Sequence, residues 1–323
     1  MDDCGHSPFF HQNGGGFLMS FPVIDLHCDA LWRMQQDGHR FNDGLLDVNA
    51  EKLRAGNVMA QAFAIFVYPT LTLEEKRAAA LKQIVHFQQE VLSEQVVHIK
   101  KWTDFEKLQP GQSGAFLTIE GVDFFGGDID YWHQFRELGV LSIGLTWNHS
   151  NEAADGLHST SQIGVTSFGK EIIKLNNEHR LFTDVTHLHE RSFWDVIEHA
   201  DYVIASHSNA MAVCNHERNL NDTQIKAMIE KNAPIHVVYY PEFINGTNTA
   251  SMTDLIRHID YICSLGGKHL IGLGSDFDGI DSKIPHLEHS GMHQNLVNEL
   301  LKHYSEQDVL GFASANFLKH LPK

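Results

Sequence analysis

Eight short apolar runs recur along the chain, and each is followed by a stretch of helical periodicity. The runs cover about 22–29, 58–67, 114–120, 140–146, 181–187, 202–207, 234–240 and 270–276. Helix-like segments lie between them, among them Glu74–Ser93, Tyr131–Leu138, Gly169–Glu178, Ser192–His199, Asp222–Lys231 and Thr253–Leu265, with two more near Gln294–Tyr304 and Glu306–Phe317. A strand that reaches its neighbour only through a helix runs parallel to it, and the crossover is right-handed. Eight such units close into an α/β fold, the (β/α)8 TIM barrel, whose polar chemistry collects at the C-terminal strand ends. A chain of 323 residues suits one such barrel with insertions. Neither an internal repeat nor a break in composition divides it, so residues 21–323 read as a single barrel domain. Residues 1–20, with Gly14-Gly15-Gly16 and no apolar period, read as a flexible extension, with Met19 as a candidate start.

Composition narrows the partners. A net charge of -17 offers no basic face to nucleic acid. No apolar run approaches the roughly 20 residues of a membrane span, and Asp2 and Asp3 stand where a signal peptide has its basic region. Cys4, Cys28, Cys214 and Cys263 lack the spacing of a metal or redox pair and read as reduced thiols of a cytoplasmic protein. The 23 histidines are too many for any one to count by type alone; only its place in the fold selects it.

The strand ends make that selection. His27 and Asp29 close the first run two residues apart, so in a strand they share a face, with Cys28 on the other. The third run ends in Glu120, the fifth in His187, the sixth in His207 and the eighth in Asp276. Imidazole nitrogen and carboxylate oxygen together suit zinc. Five such donors exceed the three that one catalytic zinc takes from a protein, and they serve two ions if Glu120 bridges them. Asp184, Ser206 and Ser208 are candidates to orient the imidazoles. Tyr239 and Tyr240 read as packing groups or pocket lining, and His286, His289 and His293 as an exposed histidine-rich loop.

In combination these residues resemble the membrane (renal) dipeptidase family, a branch of the amidohydrolase superfamily of metal-dependent barrel hydrolases. The resemblance is carried by His27-x-Asp29, Glu120-Gly121, His187, Ser206-His207-Ser208-Asn209-Ala210, Arg218-Asn219 and Gly274-Ser275-Asp276-Phe277-Asp278-Gly279, and it extends from about Phe21 to the C-terminus. It implies two zinc ions per chain, one held by His27 and Asp29, the other by His187 and His207, with Glu120 between them. It implies Asp276 as the catalytic acid–base group and Arg218 as the grip on the C-terminal carboxylate of a small dipeptide. Tolerance of a D-residue at the second position and a homodimer are further implications. An arginine fork suits a carboxylate, which it can hold bidentately. One departure concerns the end of the fourth run, where some relatives place a histidine after Leu-Thr. Here Leu145-Thr146 is followed by Trp147, Asn148 and His149, so substrate binding there falls to Trp147, Asn148 or His149.

The chemistry such a site implies is hydrolysis. Two zinc ions sharing a water would lower its pKa to near neutrality. The resulting hydroxide would attack the scissile carbonyl while Asp276 hands the proton to the leaving amine. Asp278 is the second carboxylate of the turn. Other amidohydrolase activities, on lactones or other amides, often bridge their metals through a modified lysine at the fourth strand, and no lysine ends that run here. A mononuclear deaminase more often opens with His-x-His. A barrel that holds metal without catalysis is the remaining alternative, and it needs neither Asp276 nor Arg218.

Overall fold

The computed structural model describes residues 20–323, so the extension expected over 1–20 lies, but for Ser20, outside the described residues. The described residues hold nine strands: β1 Val23–Asp25, β2 Val58–Phe66, β3 Val96–His98, β4 Ser113–Glu120, β5 Val140–Gly144, β6 Phe182–Asp184, β7 Val203–Ile204, β8 Ile235–Val237 and β9 Ile271–Leu273. All pairings between them are parallel, and eight strands follow the order β7-β6-β5-β4-β2-β1-β9-β8. A parallel bridge between Ala205 and Ile235 closes β7 against β8. The fold is a (β/α)8 barrel, as the alternation of runs implies.

Each of the eight expected runs holds a barrel strand. The additional strand β3 pairs outside the ring with β4. Its three residues, Val96-Val97-His98, are too few to show a period. The first strand is shorter than its apolar run, 22–29, because the chain leaves the pleat after Asp25. There His27 N donates to Asp25 Oδ1 (3.4 Å), and Cys28 rejoins only as a single bridge to Phe277.

Residues that alternate along the strands divide between two buried layers. Ile24 and Leu26, Ala60 and Ala62, Phe116, Leu141, Phe182 and Ile204 fill the barrel interior with Phe317 from the last helix. The opposite faces, such as Phe63, Ile65, Leu117, Ile119 and Ile143, pack beneath the surrounding helices. Trp102 and Phe105, in the short 3-10 helix before β4, close the N-terminal mouth beside Phe317. At the other end, Phe66, Glu120, Gly144, Asp184 and Ile204 stand in one register row across β2, β4, β5, β6 and β7. That row sets the Glu120 carboxylate level with the turns that carry His187 and His207.

Candidate metal centre and substrate cleft

The C-terminal strand ends bring five sequence-selected donors and Asp276 into one cluster. His27 Nε2 lies 3.4 Å from Asp29 Oδ2, 3.6 Å from Glu120 Oε2 and 3.8 Å from Asp276 Oδ1. The other oxygen of Glu120, Oε1, lies 2.8 Å from His187 Nε2 and 3.6 Å from His207 Nε2. The two imidazole nitrogens are 2.9 Å apart. Glu120 thus faces the first-strand pair with one oxygen and the two later histidines with the other. Phe116, Thr118 and Glu120 share a face of β4, so the alternation that buries Phe116 in the barrel also aims Glu120 into the cluster.

Backbone geometry confirms that these turns are built for placement rather than ease. His187, Asp276 and Asp278 have φ of 69, 65 and 68°, in the left-handed region that costs a non-glycine residue about 1–3 kcal/mol. At Gly279 a Cβ would collide with Asp29 Oδ2 and Asp276 Oδ1, so only glycine keeps the space between these carboxylates open.

Hydrogen bonds orient the rings. His207 Nδ1 pairs with Ser206 Oγ at 2.9 Å, and His187 Nδ1 with Asn148 Oδ1 at 2.6 Å. Both leave Nε2 for the cluster, the arrangement that metal-binding imidazoles use. Asp184 acts on backbone instead, accepting from Thr186 N (3.0 Å) and Ser206 N (3.1 Å). Behind the first strand, the buried Asp25 accepts from Ser275 N (2.8 Å) and Ser275 Oγ (2.6 Å), and it lies 3.4 Å from His293 Nε2. His293 is therefore no part of an exposed loop. It is wholly buried and also meets the Tyr239 hydroxyl at 3.3 Å. Its partner Asp25 is far away in the chain, which is why local sequence suggests exposure.

The cluster's electrostatics follow from burial and crowding. Burial alone would lower the His27 imidazole, but Glu120, Asp29 and Asp276 outweigh it and raise it to about 10. Asp276 is pushed up to about 7, first by burial and further by Asp29, against the pull of His27 and Arg218. Glu120 is raised well above the carboxylate range by burial. His187 and His207 are held well below theirs by burial and by the neighbouring cations. Buried His27 Nε2 and Asp29 Oδ1 have no hydrogen-bond partner among the described residues. Crowded carboxylates, the imidazoles of His187 and His207 held neutral, and orphaned buried donor atoms are the chemistry of a cation site, so the residues present fit divalent metal.

Above the cluster opens a cleft of about 410 Å³. Asp29, Glu120, His187 and Asp276 form its floor, with Arg218 beside them. Arg218 is 6% exposed, its Nη2 lies 3.2 Å from His187 Nε2, and its Nε has no partner among the described residues. Trp147 lines the cleft, but His149 does not; it is exposed, and Asn148 and His158 stand at the wall instead. Asp278 turns away from the cluster and accepts from Asp47 N (2.8 Å) and Val48 N (3.1 Å), clamping the 47–48 segment. Sequence reasoning missed Trp32, Phe66, Tyr68, Glu217, Glu242 and Phe243, which also line the cleft. Trp32 follows Asp29 by less than one helical turn, and Glu217 adjoins Arg218; those neighbourhoods were the available signal.

A family model of the membrane dipeptidases, peptidase family M19, matches residues 16–323. The chain belongs to the membrane dipeptidase family. It is a metallodipeptidase, a hydrolase of peptide bonds. Among similar proteins, the dipeptidase aclJ of Aspergillus oryzae is 28% identical over 332 residues, covering 94% of this chain and 78% of that one. An uncharacterized protein of Klebsiella pneumoniae from the pqqA 5' region is 35% identical over 189 residues, covering 55% of this chain and 70% of that one. In fold, the chain is similar to dipeptidase AC, a family M19 metallopeptidase (TM-score 0.86, 23% identity, 94% and 98% coverage). A metallopeptidase from Rhodobacter sphaeroides, solved with a phosphinate mimic of the dipeptide L-Ala-D-Ala, is equally similar (TM-score 0.86, 22% identity, 94% and 99% coverage). Among the described residues no helix is long and apolar enough to cross a membrane.

Proposed function

We propose that this membrane dipeptidase family member is a binuclear zinc enzyme that cleaves small dipeptides with a free C-terminal carboxylate, those with a D-residue second included. The observation that carries the reading is the division of Glu120, one oxygen toward His27 and the other toward His187 and His207. His27 and Asp29 would hold one ion and His187 and His207 the other, with Glu120 shared. Bound there, the metal would supply Lewis-acid polarisation and a water of lowered pKa.

The rest of the chemistry belongs to the chain. Asp276 projects into the cleft beside the donors, where its carboxylate can accept a proton and give it back. Its partner in the cycle is the amine that leaves from the scissile bond. Arg218, buried and with an Nε unpartnered among the described residues, would take the substrate carboxylate and set the peptide's direction. Trp147, with its ring centroid 6.0 Å from that of His187, would pack over the peptide and exclude water.

The deciding experiment measures metal per chain together with hydrolysis of an L,L and an L,D dipeptide, for wild type, Glu120→Ala and Asp276→Asn. Two zinc ions and turnover in wild type, metal lost from Glu120→Ala, and metal kept without turnover in Asp276→Asn are the expected results. Two ions with no dipeptide cleavage would move the substrate to lactones or other amides. One ion, unchanged by Glu120→Ala, would overturn the shared-carboxylate assignment.

A further inference from the structure

The mouth of the cleft carries charge of one sign. Glu217, Glu242 and Asp281 line it, and none of them pairs with a lysine or arginine among the described residues. Glu217 Oε1 faces His158 Nε2 at 3.1 Å, Glu242 Oε1 lies 4.0 Å from His216 Nε2, and Asp281 Oδ1 accepts from the Tyr240 hydroxyl at 3.0 Å. Burial outweighs the pull of Glu242 and holds the His216 imidazole below its usual range, so that ring adds no fixed positive charge to the rim. Among the lining residues the sole lysine or arginine is Arg218, at the floor. A guanidinium engaged by the substrate carboxylate cannot also offset the rim.

The same anchor sets which end of a dipeptide meets these acids. Arg218 Cζ lies 5.2 Å from the Phe243 ring centroid, and Tyr240 packs on Phe243 at 4.8 Å. Glu217 directly precedes Arg218, and Glu242 directly precedes Phe243. A C-terminal residue held by its carboxylate at Arg218 would therefore sit next to Phe243, Tyr240 and the two glutamates. A four-carbon stem laid along those rings would carry its ammonium to the rim carboxylates, apolar length on apolar surface and charge toward charge. The ring faces also favour a cation. Trp32, Phe66, Tyr68 and Trp147 form the other part of the wall and bring no charge.

We propose that the cleft selects dipeptides whose C-terminal residue bears a cationic side chain, with Glu217 and Glu242 as the specificity-determining residues. The proposal deepens the dipeptidase reading and rests on it. Its test compares kcat/KM for Ala-Lys, Ala-norleucine and Ala-Glu, each with the second residue in L and in D form. Norleucine keeps the lysine stem and removes the charge. For exposed charges at this range, Ala-Lys should exceed Ala-norleucine about five- to ten-fold, and Ala-Glu should fall below it by about the same factor. Added salt should compress both ratios. In the Glu217→Gln/Glu242→Gln double variant the lysine-to-norleucine ratio should drop to about one. Equal cleavage of the lysyl and norleucyl peptides by wild type would overturn the selectivity and leave the dipeptidase reading intact. An undiminished ratio in the double variant would overturn the assignment to these two residues. Failure to cleave any of the peptides would overturn the selectivity together with the reading beneath it.

Discussion

At the N-terminal end of the barrel, Phe116 and Phe182 meet Phe317 with ring centroids 6.3 and 6.1 Å apart, and Trp102 closes the layer at 5.4 Å from Phe182. Further along the same two strands stand Glu120 and, past the end of β6, His187, in a cluster where burial opposes every charge. The lower layer gains free energy simply by leaving water, about 25 cal/mol for each Å² of apolar surface. The upper layer loses by the same move until a cation arrives. One architecture therefore holds a stabilising end and a costly end, and the first supports the second. Variants of the upper end should change chemistry with little loss of fold, and variants of the lower end should do the reverse.

The largest separation is expected from Asp276→Asn. The amide keeps the shape of a strained turn at φ 65° but cannot carry a proton. Turnover should fall by about 10²–10⁴-fold while the melting temperature holds or rises, since a carboxyl pushed up to about 7 is relieved of its crowding. Single-turnover kinetics beside a thermal melt read both quantities; a melting temperature that drops with the activity would deny the division between ends. Phe317→Ala is the mirror experiment. Removing a 2% exposed ring from the barrel floor should cost about 3–5 kcal/mol of stability. The molecules that remain folded should keep their kcat, checked by urea unfolding and by activity per folded chain.

Asp25→Asn tests the structure that joins the two ends. Asp25 stands at the last residue of β1 and ties it to Ser275, whose Oγ also donates to His27 O (3.2 Å), while His293 closes the pair from the C-terminal helices. Losing a charged acceptor in a fully buried site should cost about 2–3 kcal/mol, an intermediate stability loss. Because His27 and Asp276 hang from the two strands so linked, metal affinity should fall as well. A variant that loses stability without any loss of metal affinity would show that the link serves the lower end alone.

How much of this was legible in the chain depends on range. The cluster was readable because a barrel gathers polar side chains at its strand ends, so one fold inference brought His27, Asp29, Glu120, His187, His207 and Asp276 together. Directions beyond a strand's last regular residue were not readable. Asp278 follows Asp276 by two residues yet faces Asp47 and Val48, because a turn with two left-handed residues breaks the alternation of a strand. Partners distant in sequence were hidden for a different reason. His293 at the start of a helix looks solvent-facing until Asp25 and Tyr239 are seen against it. Asn148 rather than His149 reaches the cluster, a choice made by the path of the 147–168 loop and not by residue type.

That loop provides the smallest effect and the finest division. Its hub is Asp155, whose carboxylate accepts from Ser150, Ser159 and Ser161 hydroxyls at 3.0, 2.8 and 2.6 Å and from Gly164 N at 2.9 Å. Burial works against this carboxylate, but the bonds from Ser161, Gly164, Ser159 and Ser150 outweigh it and depress its pKa to about 2. A folded-state value below the unfolded one, roughly 3.9, means that the contribution is complete above the unfolded value. It is lost as the pH falls through about 2. At neutral pH, Asp155→Asn should therefore act as acid does on the wild type, freeing hydroxyl donors at a cost of about 1 kcal/mol. Trp147, Asn148 and His158 reach the cleft from this loop, so the substrate wall should loosen while the donors below stay fixed. KM should rise two- to five-fold, an effect of about 0.4–1 kcal/mol, with kcat and metal content unchanged. Faster amide exchange should be confined to 148–166. Exchange that spread into β4 or β6 would mean that the wall and the donor cluster are one cooperative unit, and the boundary between costly floor and adjustable wall would have to be drawn further out.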